Sequence, residues 1–354
     1  MEPKFVDLFC GIGIGSLGFV KAGFEIAAAV DIDAHACRIY EENLGIAPIV
    51  GDLRQVSGAD ILKRAGLKRG ELFLCVGCPP CQGFSSLRAT RLRRRQKDGR
   101  KSLLRVFAKR VEELLPRVVI LENVRGLTFQ RNRAFLDEFI AHMRRLGYLL
   151  DYGVLDAANF AVPQHRHRFI LIGSLKHLPA LPEATHSHPE SDEGRPAWKT
   201  VREAIGDLPP LKAGQKDDKI PLHEAAAHSK PVLEIIRNIP TDGGGRRNLP
   251  RRLWLPCHKK LLNKKKRGAE SIYGRMRWDA PSPTITTRCY VPSCGRFVHP
   301  KQDRGITLRE AARLQTIPDD FKIAGSKDQV GQWIGNVFPL NFVETLGRQV
   351  MDYE

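Results

Sequence analysis

The sequence predicts an α/β chain in which a mostly parallel sheet is joined to a second, smaller and irregular domain. Three observations carry this. Residues 1–176 alternate short apolar runs with helical patterns, the rhythm of βαβ units. Residues 177–328 lose that rhythm and are rich in Gly, Pro, Arg and Lys. From 329 to 354 the pattern becomes regular again, so this segment is expected to complete the first domain. A chain of 354 residues has room for one large domain and one small one.

The elements follow in order. KFVDLF (4–9) reads as a buried strand, and SLGFVKAG (16–23) as a helix that ends at a glycine. EIAAAV (25–30) is the next strand, and AHACRIYEENLG (34–45) a helix with its own glycine stop. ELFLCV (71–76) and RVVILE (117–122) read as buried strands. AFLDEFIAHMRRLGY (134–148) is an amphipathic helix, and RFILIG (168–173) closes the series. Residues 177–197, with many Pro, His, Ser and Glu, read as a linker into the small domain at 177–328.

The charge balance narrows the class of partner. Lys and Arg number 57 against 39 Asp and Glu, a net charge of +18, which favours a polyanion. Nucleic acid comes first. An anionic membrane surface comes second and is disfavoured, because no basic amphipathic helix stands out. No apolar run reaches the length of a membrane span, and the first residues lack the form of a signal peptide. A cytoplasmic, nucleoid-associated protein is expected. Two runs concentrate the charge. RATRLRRRQKDGRK (88–101) carries eight basic residues against one acid, and GRRNLPRRLWLPCHKKLLNKKKRG (245–268) is the second. Both suit phosphate contacts. The eight cysteines read as core residues or reactive thiols rather than disulfides. Cys257 and His258 with Cys289 and Cys294 have zinc-ligand types, but their spacing fits no standard pattern, and no metal is expected.

Four constellations carry chemistry. After the first strand, CGIGIGSLG places glycines at 11, 13, 15 and 18, which lets the backbone turn tightly and approach a ligand at a helix N-terminus. Asp31 and Asp33 lie about twenty residues on, where an acid can accept from a ribose diol. Asp52 follows the third strand and reads either as facing an adenine amino group or as a plain turn residue. Gly13-x-Gly15-x-x-Gly18 also matches a dinucleotide fingerprint, so an NAD or FAD enzyme stays open at this point. Next, GCPPCQGFSS (77–86) mounts Cys81 after two prolines, which fix φ and push the residues before them to extended geometry. That stiffness suits a positioned nucleophile. Then VILENV (119–124) puts Glu122 at the carboxyl end of a buried strand, in the crevice where parallel sheets bind ligands. A carboxyl in a dry pocket there can hold a proton. Last, in VPQHRHRFILIG, Arg166 and Arg168 alternate as a strand begins and are expected on one face. Two guanidiniums there can hold a carbonyl, a carboxylate or a phosphate.

Taken together, the motifs resemble the cytosine-C5 DNA methyltransferase family over nearly the whole chain. DLFCGIGIGSLGF resembles its S-adenosylmethionine loop, GCPPCQGFS its Pro-Cys-Gln motif and ENV its acid motif. VPQHRHR is similar to its Gln-x-Arg-x-Arg motif, and IGNVFP to its closing Gly-Asn motif. TVREAIGDLPP, SPTITTR and TLREAARLQTIPDDF look like the segments around its recognition region. The chain differs from the family in having Gly13-Ile14 for Gly-Gly, Asp31 for glutamate, Ile32 for an aromatic and Phe338 for valine.

The resemblance implies a Rossmann-like methyltransferase sheet with a target-recognition domain, and a role for each matching residue. Cys81 would attack C6 of a cytosine flipped out of double-stranded DNA, and Glu122 would hydrogen-bond and protonate N3. Arg168 would hold the ring near O2 and Glu122, and Arg166 would contact backbone phosphate. Phe9, Gly11, Gly13, Asp31, Ile32, Asp52, Pro80, Leu103 and Asn336 would line the site for S-adenosyl-L-methionine. Gln82, Ser85, Arg88, Arg91, Arg93, Arg94, Arg246, Arg247, Arg251 and Arg252 would meet DNA. A lean chain of this kind is expected to be a monomeric prokaryotic modification enzyme, with a cognate restriction endonuclease as a partner. A transfer-RNA cytosine methyltransferase of the same family shares the chemistry, but the recognition-like region and its basic clusters favour DNA. A nicotinamide or flavin oxidoreductase explains the glycines but not Cys81, Glu122 and the arginines together. A catalytically dead relative is disfavoured by the intact set.

Overall fold

Seven strands form one sheet: β1 (Lys4–Leu8), β2 (Glu25–Asp31), β3 (Ile49–Val50), β4 (Leu74–Gly77), β5 (Val118–Val124), β6 (Leu149–Asp156) and β7 (His167–Ser174). They lie in the order β3-β2-β1-β4-β5-β7-β6. The computed structural model describes residues 2–80, 102–191, 194–255 and 271–353. Strands β1 to β5 pair in parallel, whereas β7 runs antiparallel to both β5 and β6. The mostly parallel sheet is as expected, but RFILIG is its antiparallel member. β6 is not announced by the sequence, because none of its eight residues is fully buried and its apolar signal is weak. Helices α3 (Gly58–Ala65) and α4 (Ser102–Leu114) were likewise not expected. Ser57 and Asp60 form a capping box at the start of α3, a start signal the sequence carries in plain view.

The core explains why these segments fold. β4 and β5 contribute continuous apolar runs because both of their faces are covered. Phe107 of α4 stacks on Phe139 of α5 (Arg133–Arg145) with centroids 5.8 Å apart, and both rings are buried. A Cβ at Gly77 would lie 2.3 Å from the Phe107 ring, so this strand end admits only glycine. On the amino-terminal side, α1 (Ile14–Lys21) starts from Gly13, whose φ of 94° is left-handed. A Cβ there would lie 2.8 Å from both Tyr40 and Leu44. Helix α2 (Ala34–Leu44) is capped by the Asp33 side chain, which accepts from the His35 and Ala36 amides, and stopped by Gly45.

The chain divides into two compact units. One comprises Met1–Phe160, His167–Ala184 and Phe338–Glu354, and the other Ala161–Arg166 and Thr185–Val337. The boundaries therefore fall after 184 and 337 rather than after 176 and 328, and Ala161–Arg166 goes with the second unit. The reason for the last point is the Arg166 guanidinium, which donates to the carbonyls of Ile285, Gly335 and Val337. The second unit has little regular structure, and buried arginines serve the backbone carbonyls that a sheet would otherwise satisfy. Arg275 donates to Ile236, Ile239, His299 and Gln302 carbonyls as well as to Asp303. Arg304 pairs bidentately with Glu310 at 2.8 and 2.7 Å, and both are fully buried. Among the described residues no helix is long and apolar enough to cross a membrane.

Candidate active site

Strand register assembles the site in the first unit. Leu8 pairs with both Val30 and Gly77, and Gly77 with Leu121. The next residues, Phe9, Asp31, Cys78 and Glu122, therefore stand at one carboxyl edge of the parallel strands, where α/β proteins hold ligands. Strand β7 enters at that same edge, with Arg168 opposite Val124 and Ile170 opposite Glu122. Pleat alternation puts Glu122 and Arg168 on one face as diagonal neighbours. The Arg168 Nε lies 2.7 Å from Glu122 Oε1, and both side chains are close to nine-tenths buried.

The turn that leads to Cys81 is tied to the same strand. Asn123, buried beside Glu122, donates from Nδ2 to the Pro79 carbonyl at 3.0 Å and accepts from the Val124 amide. Asn123 was not expected to matter. Its signal is its place in Glu-Asn-Val: one side chain of the strand end meets Arg168 and the next braces the proline turn. Cys78, half-buried in this turn, is held well above the ordinary thiol range, first by burial and then by the Glu122 charge, with Arg168 opposing. It stays a neutral thiol and is no rival nucleophile. Cys81 itself, together with Gln82, Ser85, Arg88, Arg91, Arg93 and Arg94, lies outside the described residues.

The glycine loop forms a cradle. Phe9 takes φ 75°, a strained value for a side chain of that size, while its amide and that of Cys10 both donate to the Val30 carbonyl. The carboxylate of Asp31 accepts from the Gly11 amide (2.8 Å) and the Asp33 amide (2.8 Å), tying the loop to the end of β2. Burial raises its pKa above the ordinary carboxylate value. A Cβ at Gly11 would meet nothing within 4 Å, so the loop opens onto free space. Ile32, next to Asp31, is 67% exposed, an unsatisfied apolar surface at the rim. These residues fit a nucleoside-bearing cofactor. Pro80 is exposed and Leu103 half-buried at the start of α4. Asp52 is turned to Arg54, accepting at 2.9 Å from its amide and Nε. That is a turn contact, not a free acid facing a base. Asn336 is exposed and belongs to the second unit.

Beneath the cradle lies an acid that the sequence does not single out. Asp7 of β1 is buried and accepts from the Ser16 hydroxyl of α1 at 2.6 Å. Burial pushes its pKa up to about 7. The nearby Tyr40 hydroxyl is buried beside Asp7 and Ser16, and burial holds it well above the ordinary phenol range.

Two arginines differ from expectation. Arg166 lies outside β7, so strand alternation does not apply to it as it does to Arg168. It precedes β7, is 2% exposed and donates to three backbone carbonyls, a buried scaffold position rather than the expected surface one. Arg246 is buried as well, its guanidinium over the Trp254 ring at 5.7 Å. Arg247, Arg251 and Arg252 are exposed, and Arg252 pairs with Glu234 at 2.8 Å. Of the cysteine set read for zinc, Cys257 and His258 lie outside the described residues, and Cys289 is buried.

Known proteins resemble this chain over nearly its whole length. The family model for C-5 cytosine-specific DNA methylase matches residues 3–352. The type II methylase M.HgiDII of Herpetosiphon aurantiacus is 32% identical over 99% of this chain and 95% of its own length. The type II methyltransferase M.XorII of Xanthomonas oryzae is 34% identical over 99% and 85%. Among solved structures, a prophage-encoded Escherichia coli chain described as a candidate DNA modification methyltransferase superposes with a TM-score of 0.73 at 23% identity, covering 99% of both chains. The Schizosaccharomyces pombe Dnmt2 methyltransferase follows at 0.59 and 16%, covering 100% of this chain and 99% of its own. The chain belongs to the C-5 cytosine-specific DNA methylase family.

Proposed function

We propose that this DNA cytosine methyltransferase works on a flipped cytosine, with Cys81 as nucleophile and Glu122 as acid, in a sequence-specific modification role. The observation that carries the reading is the shared carboxyl edge: Glu122 and its Arg168 partner, the Asn123-braced proline turn and the glycine cradle all stand at that one end of the sheet. C6 of a stacked cytosine is out of reach of any side chain, so the base must leave the duplex, at a cost of a few kcal/mol. Attack comes perpendicular to the ring, so the thiol's placement matters more than its mobility. Asn123 and the two prolines supply that placement. Glu122 hydrogen-bonds N3 and delivers a proton as the carbon–sulfur bond forms, which leaves C5 electron-rich. Arg168 orients Glu122 and meets the ring beside it.

S-adenosyl-L-methionine, bound at the cradle, would supply an electrophilic methyl group for C5. Phe9, Gly11 and Gly13 shape the loop, Asp31 suits the ribose diol, and Ile32 offers an apolar face. Leu103, Pro80 and Asn336 are proposed as the remaining lining. Loss of the C5 proton and departure of Cys81 complete the turnover. The basic run at 88–101 and the exposed arginines 247, 251 and 252 are proposed as DNA contacts. The type II names of the relatives support a modification role, with a cognate endonuclease as partner.

Replacement of Cys81 by serine tests the assignment. Methyl transfer to duplex DNA is expected to disappear while DNA affinity stays within a few-fold of the parent. Equal loss of both would make Cys81 structural. Methyl uptake into transfer RNA alone by the parent would overturn DNA as substrate.

A further inference from the structure

The second unit carries a cluster of arginines that its own fold does not use up. Gly243, Gly244 and Gly245 form a turn against which two guanidiniums lie. The Cβ that Gly243 lacks would fall 2.7 Å from Arg277 Nε, and that of Gly245 3.4 Å from Arg296 Nη2. Gly274 is equally close, with 2.9 Å to Arg296 Cζ. Arg275, between them in the chain, is fully engaged by Asp303 and four carbonyls and is scaffold. Arg296 is only half engaged. Its Nη1 donates to the Gly243, Gly244 and Arg275 carbonyls at 2.9, 3.0 and 2.8 Å. Among the described residues its Nε and Nη2 have no acceptor, and the residue is half-buried rather than sealed. Arg277 is exposed and has no partner among the described residues. Asp242, at the start of the turn, is turned to the Trp278 amide. Burial and then the Arg277 charge lower the Arg296 pKa, and no carboxylate among the described residues offsets them.

Packing like charges side by side costs free energy, and the cost is recovered when acceptors arrive from outside. The two arginines suit different acceptors. A guanidinium pinned by one nitrogen presents its free Nε–Nη2 edge in a fixed direction, which is what reading a base requires. A flexible, exposed one suits a phosphate, where charge matters more than direction.

We propose that Arg296 is a specificity-determining residue that reads the paired acceptors O6 and N7 of a guanine in the target site, while Arg277 beside it holds a backbone phosphate. This rests on duplex DNA being the substrate. A guanine edge and a phosphate both offer paired oxygen or nitrogen acceptors, so the test must separate them. A randomised duplex library is methylated by the parent, Arg296→Lys, Gly245→Ala and Arg277→Gln proteins, and the methylated products are sequenced. Arg296→Lys keeps the charge and loses the fork. Discrimination at one guanine position is expected to fall by roughly 5- to 150-fold, with other positions unchanged. Gly245→Ala is compatible with the extended backbone there and sets a methyl group against Nη2, so it is expected to relax the same position. Arg277→Gln is expected to keep the consensus and to lower the slope of log affinity against log salt by about one. A folded Arg296→Lys protein with the parental consensus, or with activity reduced equally on all sequences, overturns base reading by Arg296. If that variant does not fold, an unchanged consensus for Gly245→Ala overturns it instead. Absence of methylation by the parent on every duplex would overturn the DNA reading itself, and this proposal with it.

Discussion

Glu122 and Arg168 show how much a single cross-strand pair can specify. Their contact depends on the antiparallel β5–β7 register, so a chain with the same residues and a parallel β7 would lack it. Glu122→Gln keeps the shape and removes the proton donor. It is expected to lower the rate constant for methyl transfer by about 10²–10⁴ with the fold intact, read by single-turnover kinetics and a thermal melt. Asp7 offers a second test at this scale. Its folded pKa of about 7 stands above the ordinary 3.8, so the folded state holds this proton more tightly than the unfolded chain. Stability from this group is therefore full below about pH 4 and is lost as pH rises towards 7 and beyond. Asp7→Asn removes that loss and can still accept from Ser16. The variant is expected to gain of order 2 kcal/mol on the parent between pH 5 and pH 8, read from urea midpoints. A gain that does not change with pH would mean Asp7 does not titrate in this window. Asp7 was not legible as a buried acid, because KFVDLF reads as one apolar strand and does not reveal that its polar member faces a helix.

Elements explain most of what was legible and most of what was not. The strands that carry chemistry are buried on both faces and announce themselves as apolar runs, so β1, β2, β4 and β5 could be read directly. β6 lies at the sheet edge with half-exposed residues and gave no such signal. The direction of β7 depends on β6, so its antiparallel pairing was hidden too. The same reasoning explains Arg166: alternation in the chain suggests one face, but the strand begins only at His167. The proline turn is tied to β5 by Asn123, and that tie can be cut. Asn123→Ala leaves the buried Pro79 carbonyl without its donor and is expected to cost about 1–3 kcal/mol of stability. Methyl transfer is expected to fall further than DNA affinity, because the turn that positions Cys81 is loosened. Equal falls in both would argue against a positioning role.

At the scale of the whole molecule, two kinds of unit meet two kinds of demand. A sheet supplies fixed strand ends for chemistry. The second unit is irregular and is held by buried arginines rather than by strands. Glu310→Gln weakens the pairing with Arg304 inside it and is expected to cost about 3–5 kcal/mol, since a guanidinium is left buried with reduced compensation. That support could not be read from composition, where an arginine-rich stretch looks like a solvated or DNA-facing surface. The net charge of +18 was legible, and affinity for duplex DNA is expected to fall steeply with salt. The most direct test of the central claim is a covalent trap: duplex DNA carrying 5-fluorocytosine at random sites is incubated with the protein and S-adenosylmethionine. Fluorine at C5 blocks the final elimination. A cofactor-dependent, denaturation-resistant adduct that maps to Cys81 is the expected result. No adduct across all sequences, or one that maps to another residue such as Cys78, would contradict the account.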